Sequence, residues 1–159
     1  MSEEFEHAAA AFGSRGALLG LDLGDKTIGV ATCDPNRMVA TPVETIPRRK
    51  LTQDAERLKS LADERQAVGL VIGMPLNMDG SEGKRAQSTR SLSKHIQRIT
   101  ELPVAFWDER LSTVAMEREL IKFDVSRSKR AQQIDASAAM FILQGAIDRL
   151  RALSDREGA

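Results

Sequence analysis

Three carboxylates stand out because of the residues around them. Asp22 lies inside LLGLDLG (Leu18 to Gly24), an otherwise wholly apolar stretch of the chain. No basic residue occurs within it, and Lys26 is the nearest cation. A carboxylate taken out of water is ordinarily hydrogen-bonded, paired with a cation or bound to a metal, because the unpartnered charge is strongly unfavourable there. Glu109 closes PVAFWDE, which delivers both Asp108 and Glu109 to the carboxyl end of a second apolar segment. Successive strand residues point to opposite faces, so one of these two would share a side of a sheet with Asp22, and spacing alone does not choose between them. Asp135 stands between Ile134 and Ala136, near the start of a helix-periodic segment.

Each carboxylate also has a purely structural role open to it. Asp22 could cap the turn at Gly24. Glu109 could pair with Arg110 or start a helix beside Ser112 and Thr113. Asp135 could complement a helix N-terminus, which is worth about 0.3–1 kcal/mol. Taken together they are hard oxygen donors of the kind that holds Mg2+ or Mn2+ with part of its water shell retained. One such ion, or two about 3.5–4 Å apart, can activate a water and stabilise the leaving oxygen of a phosphodiester. Histidine is not the basis of such a site. His7 falls in the N-terminal segment and His95 on the polar face of a helix.

The elements that must position these groups can be read from periodicity. Ala17 to Leu23 is a buried strand, Ile28 to Thr32 a second, and Val39 to Ile46 a third, which Pro42 marks as an edge or interrupted strand. Short polar turns between them predict an antiparallel meander. Thr52 to Gln66 carries Ala55, Leu58, Leu61 and Ala62 at helical spacing. Val68 to Met74 is continuously apolar, as a strand covered on both faces would be. A turn-rich loop, Pro75 to Gly83, leads to a helix marked by Leu92, Ile96 and Ile99. Pro103 to Glu109 forms another strand, and a helix follows from about Thr113 to Phe123. The polar, basic stretch Asp124 to Arg130 precedes a last helix from about Ala131 to Leu153. The order predicts one α/β domain over residues 17–153, with three meander strands and two parallel strands reached by crossover helices. Residues 1–16 read as a flexible leader and 154–159 as a C-terminal tail.

Composition narrows the class. The chain has 159 residues, 29% of them charged and 42% apolar, enough to bury a core and unlike a disordered polymer. No run approaches the roughly 18 apolar residues of a membrane span. The acidic N-terminus is unlike a secretory signal. Cys33 is the sole cysteine, so an internal disulfide and a cysteine metal cluster are both excluded, which suits the reducing cytoplasm. Lys and Arg total 23 against 23 Asp and Glu, a zero net charge that makes the local placement of cations decisive for any nucleic-acid partner.

Four segments, GLDLGDKTIGVATCD (Gly20 to Asp34), VIGMPLNMDGSEGKRAQSTR (Val71 to Arg90), VAFWDERLST (Val104 to Thr113) and IDASAAMFILQG (Ile134 to Gly145), together resemble the YqgF/RuvX family. That family is described as Holliday junction resolvases or pre-16S rRNA nucleases related to RuvC. The resemblance runs in order from about Ala17 to Leu150. It implies a ribonuclease H-like fold, a divalent metal (one or two ions of Mg2+ or Mn2+), a cytoplasmic location and an acidic triad at Asp22, Glu109 and Asp135. Of the Asp108–Glu109 pair it selects Glu109. Partners implied are an rRNA precursor or branched DNA, and ribosomal particles. A two-fold junction would suit a homodimer, whereas RNA processing asks only for a monomer.

With that resemblance, Lys84, Arg85, Arg90 and Arg110, and Arg127, Lys129 and Arg130 just before Asp135, become expected phosphate contacts. The cluster Arg48 to Lys50 reads rather as a solvated face, and Trp107 as core. Two other readings compete. One is a nucleic-acid-binding or ribosome-maturation factor that keeps the fold without turnover. The other is an actin-like phosphate binder, which Asp-x-Gly followed by a hairpin would also open. That class needs two such domains, and this length holds one.

Overall fold

The computed structural model describes the backbone of residues 2–111 and 127–157, and the side chains of 3–111 and 136–156. The helix expected between Thr113 and Phe123 lies outside the described residues.

A short helix, α1 (Ser2–Ala9), and a turn at Ala10–Phe12 precede the three meander strands β1 (Ala17–Leu23), β2 (Thr27–Cys33) and β3 (Ala40–Pro47). Helix α2 (Leu51–Arg65), strand β4 (Ala67–Met74), helix α3 (Lys84–Thr100) and strand β5 (Val104–Asp108) follow, and the last helix, α4, spans Arg127–Glu157. The sheet order is β3-β2-β1-β4-β5. β2 runs antiparallel to both β1 and β3, whereas β4 runs parallel to β1 and β5. This is the expected mixed five-stranded sheet. Pro42 falls on edge strand β3 opposite Ala31, at the register shift between Val30 and Ala31, where a missing N–H is tolerated.

Two apolar layers cover the sheet. On one face Leu18, Val71, Ala105 and Trp107 pack under Ala138, Ala139, Ile142, Leu143, Ala146 and Ile147 of α4. On the other, Leu19, Leu21, Ile28, Val30, Leu70 and Ile72 meet Ala55, Leu58, Leu61 and Ala62 of α2 and Ile96 of α3. β1 and β4 are therefore covered on both sides, which explains their unbroken apolar runs. Helix α4 lies directly on β1. A Cβ on Gly20 would stand 2.6 Å from Leu143 Cβ and 2.9 Å from the carbonyl oxygen of Ala139, so only glycine permits this approach.

Two expectations about the ends of the domain are corrected. The described part of the segment expected as a leader over residues 1–16 is packed into the fold. Phe5, Ala9 and Phe12 are buried within the α4-side core, with Phe5 edge-on to Trp107 at 5.1 Å between ring centroids. Glu4 and Glu6 pair with Arg90 and Arg149. The Arg37 guanidinium donates to the carbonyls of Phe12, Gly13 and Gly16. The segment is short and Ala-rich, and the surface it covers beside β5 exists only once the sheet has formed. Helix α4 is also longer than its apolar stripe. It begins at Arg127 and continues to Glu157, through residues expected as a basic loop and a tail. Charged residues such as Arg, Lys and Glu are good helix formers, so the helix outruns the buried periodicity at both ends.

Candidate active site

The parallel arrangement of β1, β4 and β5 gathers their carboxyl ends at one end of the sheet, where open α/β sheets bind ligands. Asp22 is the penultimate residue of β1 and only 7% exposed. Leu19, Leu21 and Leu23 face α2 and α3, so alternation turns Asp22, with Leu18 and Gly20, toward α4. The register pairs Leu21 with Ile72, which brings Gly73 alongside Asp22 on the neighbouring strand.

Glu109 leaves the end of β5 in a 3-10 turn, Glu109–Leu111. Its Oε1 comes within 2.7 Å, and its Cγ within 3.1 Å, of the point a Cβ on Gly73 would occupy. The Glu109 side chain thus occupies the space Gly73 leaves on the α4 face of β4. Asp22 and Glu109 therefore lie at the same end of the sheet and on its α4 face, with Glu109 over Gly73, the β4 residue alongside Asp22. The sequence carried a signal for Gly73, since glycine inside an otherwise apolar strand marks a close approach.

The third, Asp135, lies on α4, and its side chain is outside the described residues. The helix backbone places position 135 one turn before Ala139, whose carbonyl stands over Gly20, and two turns before Ile142, whose side chain stands over Gly73. Gln144, further along α4, accepts a hydrogen bond from the N–H of Ala40 at the opposite end of the sheet. The N-terminal direction of α4 therefore leads toward the carboxyl end, where Asp22 and Glu109 sit.

Asp108 takes a different part. Burial raises its carboxyl, but the hydrogen bonds and charge of Arg110 outweigh this and hold it below the ordinary carboxylate range. Arg110 donates from Nε and Nη2, the latter at 2.7 Å, and its backbone N–H donates at 3.0 Å. The ion pair considered for Glu109 thus belongs to Asp108. Arg110 Nη1 also donates to the Met78 carbonyl at 3.0 Å, fastening the end of β5 to the loop after β4. Arg110, expected as a phosphate contact, is largely committed to these two partners.

Arg90 departs further from expectation. It lies between Glu82, at 2.6 Å, and Glu4, at 3.0 Å, with its guanidinium 4.9 Å from the Phe106 ring centroid. These carboxylates push its pKa up, so it stays charged, and they compete with any phosphate for its N–H groups. Glu4 comes from α1, so sequence separation hid the pair. Lys84 and Arg85 stand exposed in the first turn of α3. Arg127, Lys129 and Arg130 fall in the first turn of α4, with side chains outside the described residues. Trp107 is core, as expected.

The donor set of Asp22 and Glu109, carboxylate oxygens only, fits a hard divalent cation. Among the described residues no group of three or more His, Cys, Asp or Glu gathers closely enough to hold a metal, and the third expected ligand stands outside that set. Residues 16–149 match the model of a family described as "RuvX: Holliday junction resolvase". The chain belongs to the RuvX family. Relatives of this RuvX chain carry the name "Putative pre-16S rRNA nuclease". One from Rhodopseudomonas palustris (strain TIE-1) is 65% identical over 150 residues, covering 94% of each chain. One from Nitrobacter hamburgensis is 62% identical over 146 residues, covering 92% of this chain and 90% of that protein. Among solved structures, Thermus thermophilus RuvC in complex with a Holliday junction substrate aligns with a TM-score of 0.56 at 10% identity. It covers 85% of this chain and 96% of that one. At that identity the likeness speaks for the fold, the ribonuclease H-like architecture, which the RuvX chain shares.

Proposed function

We propose that this RuvX protein is a nuclease that hydrolyses phosphodiester bonds in structured nucleic acid, with Asp22, Glu109 and Asp135 as its acidic triad. The observation that supports the reading is the placement of Glu109 over Gly73, on the face covered by α4 that buried Asp22 also faces. Divalent Mg2+ or Mn2+ bound by these carboxylates would supply an activated water and charge stabilisation for the leaving oxygen. The chain's own part is to hold the carboxylates rigidly. Asp22 is fixed by the strand ladder, Glu109 by the turn after β5, and position 135 by the packing of α4 on Gly20. Lys84, Arg85, Arg127, Lys129 and Arg130 supply positive charge for the substrate backbone.

The names of the relatives favour pre-16S rRNA as the substrate; the reading extends this to processing of its 5′ end in the cytoplasm, on or near ribosomal particles. The family's description favours a four-way DNA junction. Digestion of a labelled pre-16S rRNA fragment and a labelled four-way junction in Mn2+, by the wild type and by Asp22→Asn, tests the reading. Loss of cutting in Asp22→Asn is expected on the true substrate. Equal cutting by both proteins would point to a contaminant and leave a non-catalytic binding factor as the better account.

A further inference from the structure

Several cations of this electrically neutral chain are already committed to carboxylates: Arg57 to Glu44, Arg90 to Glu4 and Glu82, Arg110 to Asp108, Arg149 to Glu6. Arg48, Arg49, Lys84 and Arg85 form no ion pair with a described residue. Arg48 gives one N–H to the Gly24 carbonyl at 2.8 Å, which braces the β1–β2 turn. All four are exposed, and they line one depression, where β3 passes into α2 and where α3 begins.

The depression consists of two adjoining hollows. The smaller, about 140 Å³, is bounded by Leu23, Asp25, Arg48, Lys84 and Arg85. The larger, about 630 Å³, runs on past Arg49, Ser88, Ser91 and His95. The acidic residues are Asp25 in the smaller hollow and Asp54 in the larger, and the Asp54 carboxylate accepts the backbone N–H of Arg49 at 3.2 Å. The balance of the lining is positive. Both α2 and α3 open onto it; the first turn of α3 carries neither an acidic residue nor a side-chain cap, so its backbone N–H groups add to the positive field, whereas that of α2 holds Asp54.

The position of this groove matters as much as its charge. Leu23 faces it from β1, whereas Asp22 faces the opposite side of the sheet, at the same carboxyl end. A strand lying at Asp22 and Glu109 can pass over that end and reach the groove between α2 and α3. A row of cations in an open channel suits a run of phosphates better than a single anion.

We infer that the groove formed by Arg48, Arg49, Lys84 and Arg85 between the N-terminal ends of α2 and α3 holds the phosphate backbone of the substrate beyond the scissile bond. The inference rests on the nuclease reading and extends it. The substrate engages both faces of the sheet, and this second contact reads backbone rather than bases.

Anisotropy of the labelled four-way junction and the labelled rRNA fragment, titrated in EDTA over a range of KCl, tests it. The variant Arg49→Gln/Lys84→Gln is compared with Arg65→Gln/Arg98→Gln, which removes the same charge from the opposite ends of the same two helices. The groove variant is expected to weaken binding about tenfold at moderate salt. It should also lower the slope of log affinity against log[KCl] by about 1.8 on duplex arms, or 1.4 on single strands, for two phosphates lost. The distal variant is expected to leave both near wild type. Equal Kd and slope for the two double variants would overturn the proposal. Because binding is read without metal, this outcome is separate from failure of the nuclease reading, which would appear as equal cutting by wild type and Asp22→Asn.

Discussion

Placing a single methyl group on Gly73 should damage the site more than it damages the fold. The Cβ of Gly73→Ala would stand 2.7 Å from Glu109 Oε1 and 2.5 Å from Ile142 Cδ1, where ordinary contact begins near 3.4 Å. The carboxylate must therefore withdraw by about 0.7 Å, or Ile142 and α4 must lift, and either movement disturbs the triad. A misplacement of about 1 Å can cost about 100-fold in rate, so a loss of about 10- to 100-fold in turnover is expected. Overpacking costs about 1–3 kcal/mol, and each kcal/mol lowers Tm by about 2–4 °C in a domain of this size. Gly69→Ala is the matched control. It lies on the same strand and face at the other end, where a Cβ would strike the Phe12 ring instead. Both variants should melt earlier, but only Gly73→Ala should lose Mn2+-dependent cleavage per folded molecule at saturating substrate. Wild-type turnover and unchanged Mn2+ dependence in Gly73→Ala would refute the assignment of Glu109 to the site.

Other perturbations probe the supports. Asp22→Asn should abolish Mn2+-dependent cleavage while keeping Tm near that of wild type, because it keeps the side chain's shape; a large fall in Tm would mean that Asp22 is chiefly structural. Asp108 is held below its ordinary value of 3.8 by Arg110, against the upward push of burial. Its stabilising contribution is therefore complete above the ordinary value and is lost as pH falls through the lowered one. Asp108→Asn should accordingly melt below wild type at pH 7, and the gap should close in acid; a gap constant with pH would dismiss the ion pair as its source. Phe5→Ala should cost about 3–5 kcal/mol in chemical denaturation, as for a buried aromatic, and a cost near zero would restore the view of the first 16 residues as an appendage.

Much of the scaffold is legible in the order of residues, because it follows from local rules. The unbroken apolar runs of β1 and β4, the proline in β3 and the 3.6-residue spacing of α2 identify elements whose burial is written in their own composition. Asp22 is legible for the same reason, as a charge that such a strand would not ordinarily carry. The N-terminal helix is not legible, since Phe5 and Phe12 gain meaning only from Trp107 and the neighbouring core. Nor are the partners of the arginines. Glu4 lies 86 residues from Arg90, and no spacing rule links them. Distant carboxylates claim Arg90 and Arg149, while Arg48, Arg49, Lys84 and Arg85 escape such pairing and share a groove. The choice between Asp108 and Glu109 is tertiary as well. Alternation states that they diverge, but only the turn after β5, the grip of Arg110 and the space at Gly73 decide which one lies on the face that Asp22 shares. Periodicity reports which residues must leave water, whereas the partner each charge finds depends on how separate segments come together in space.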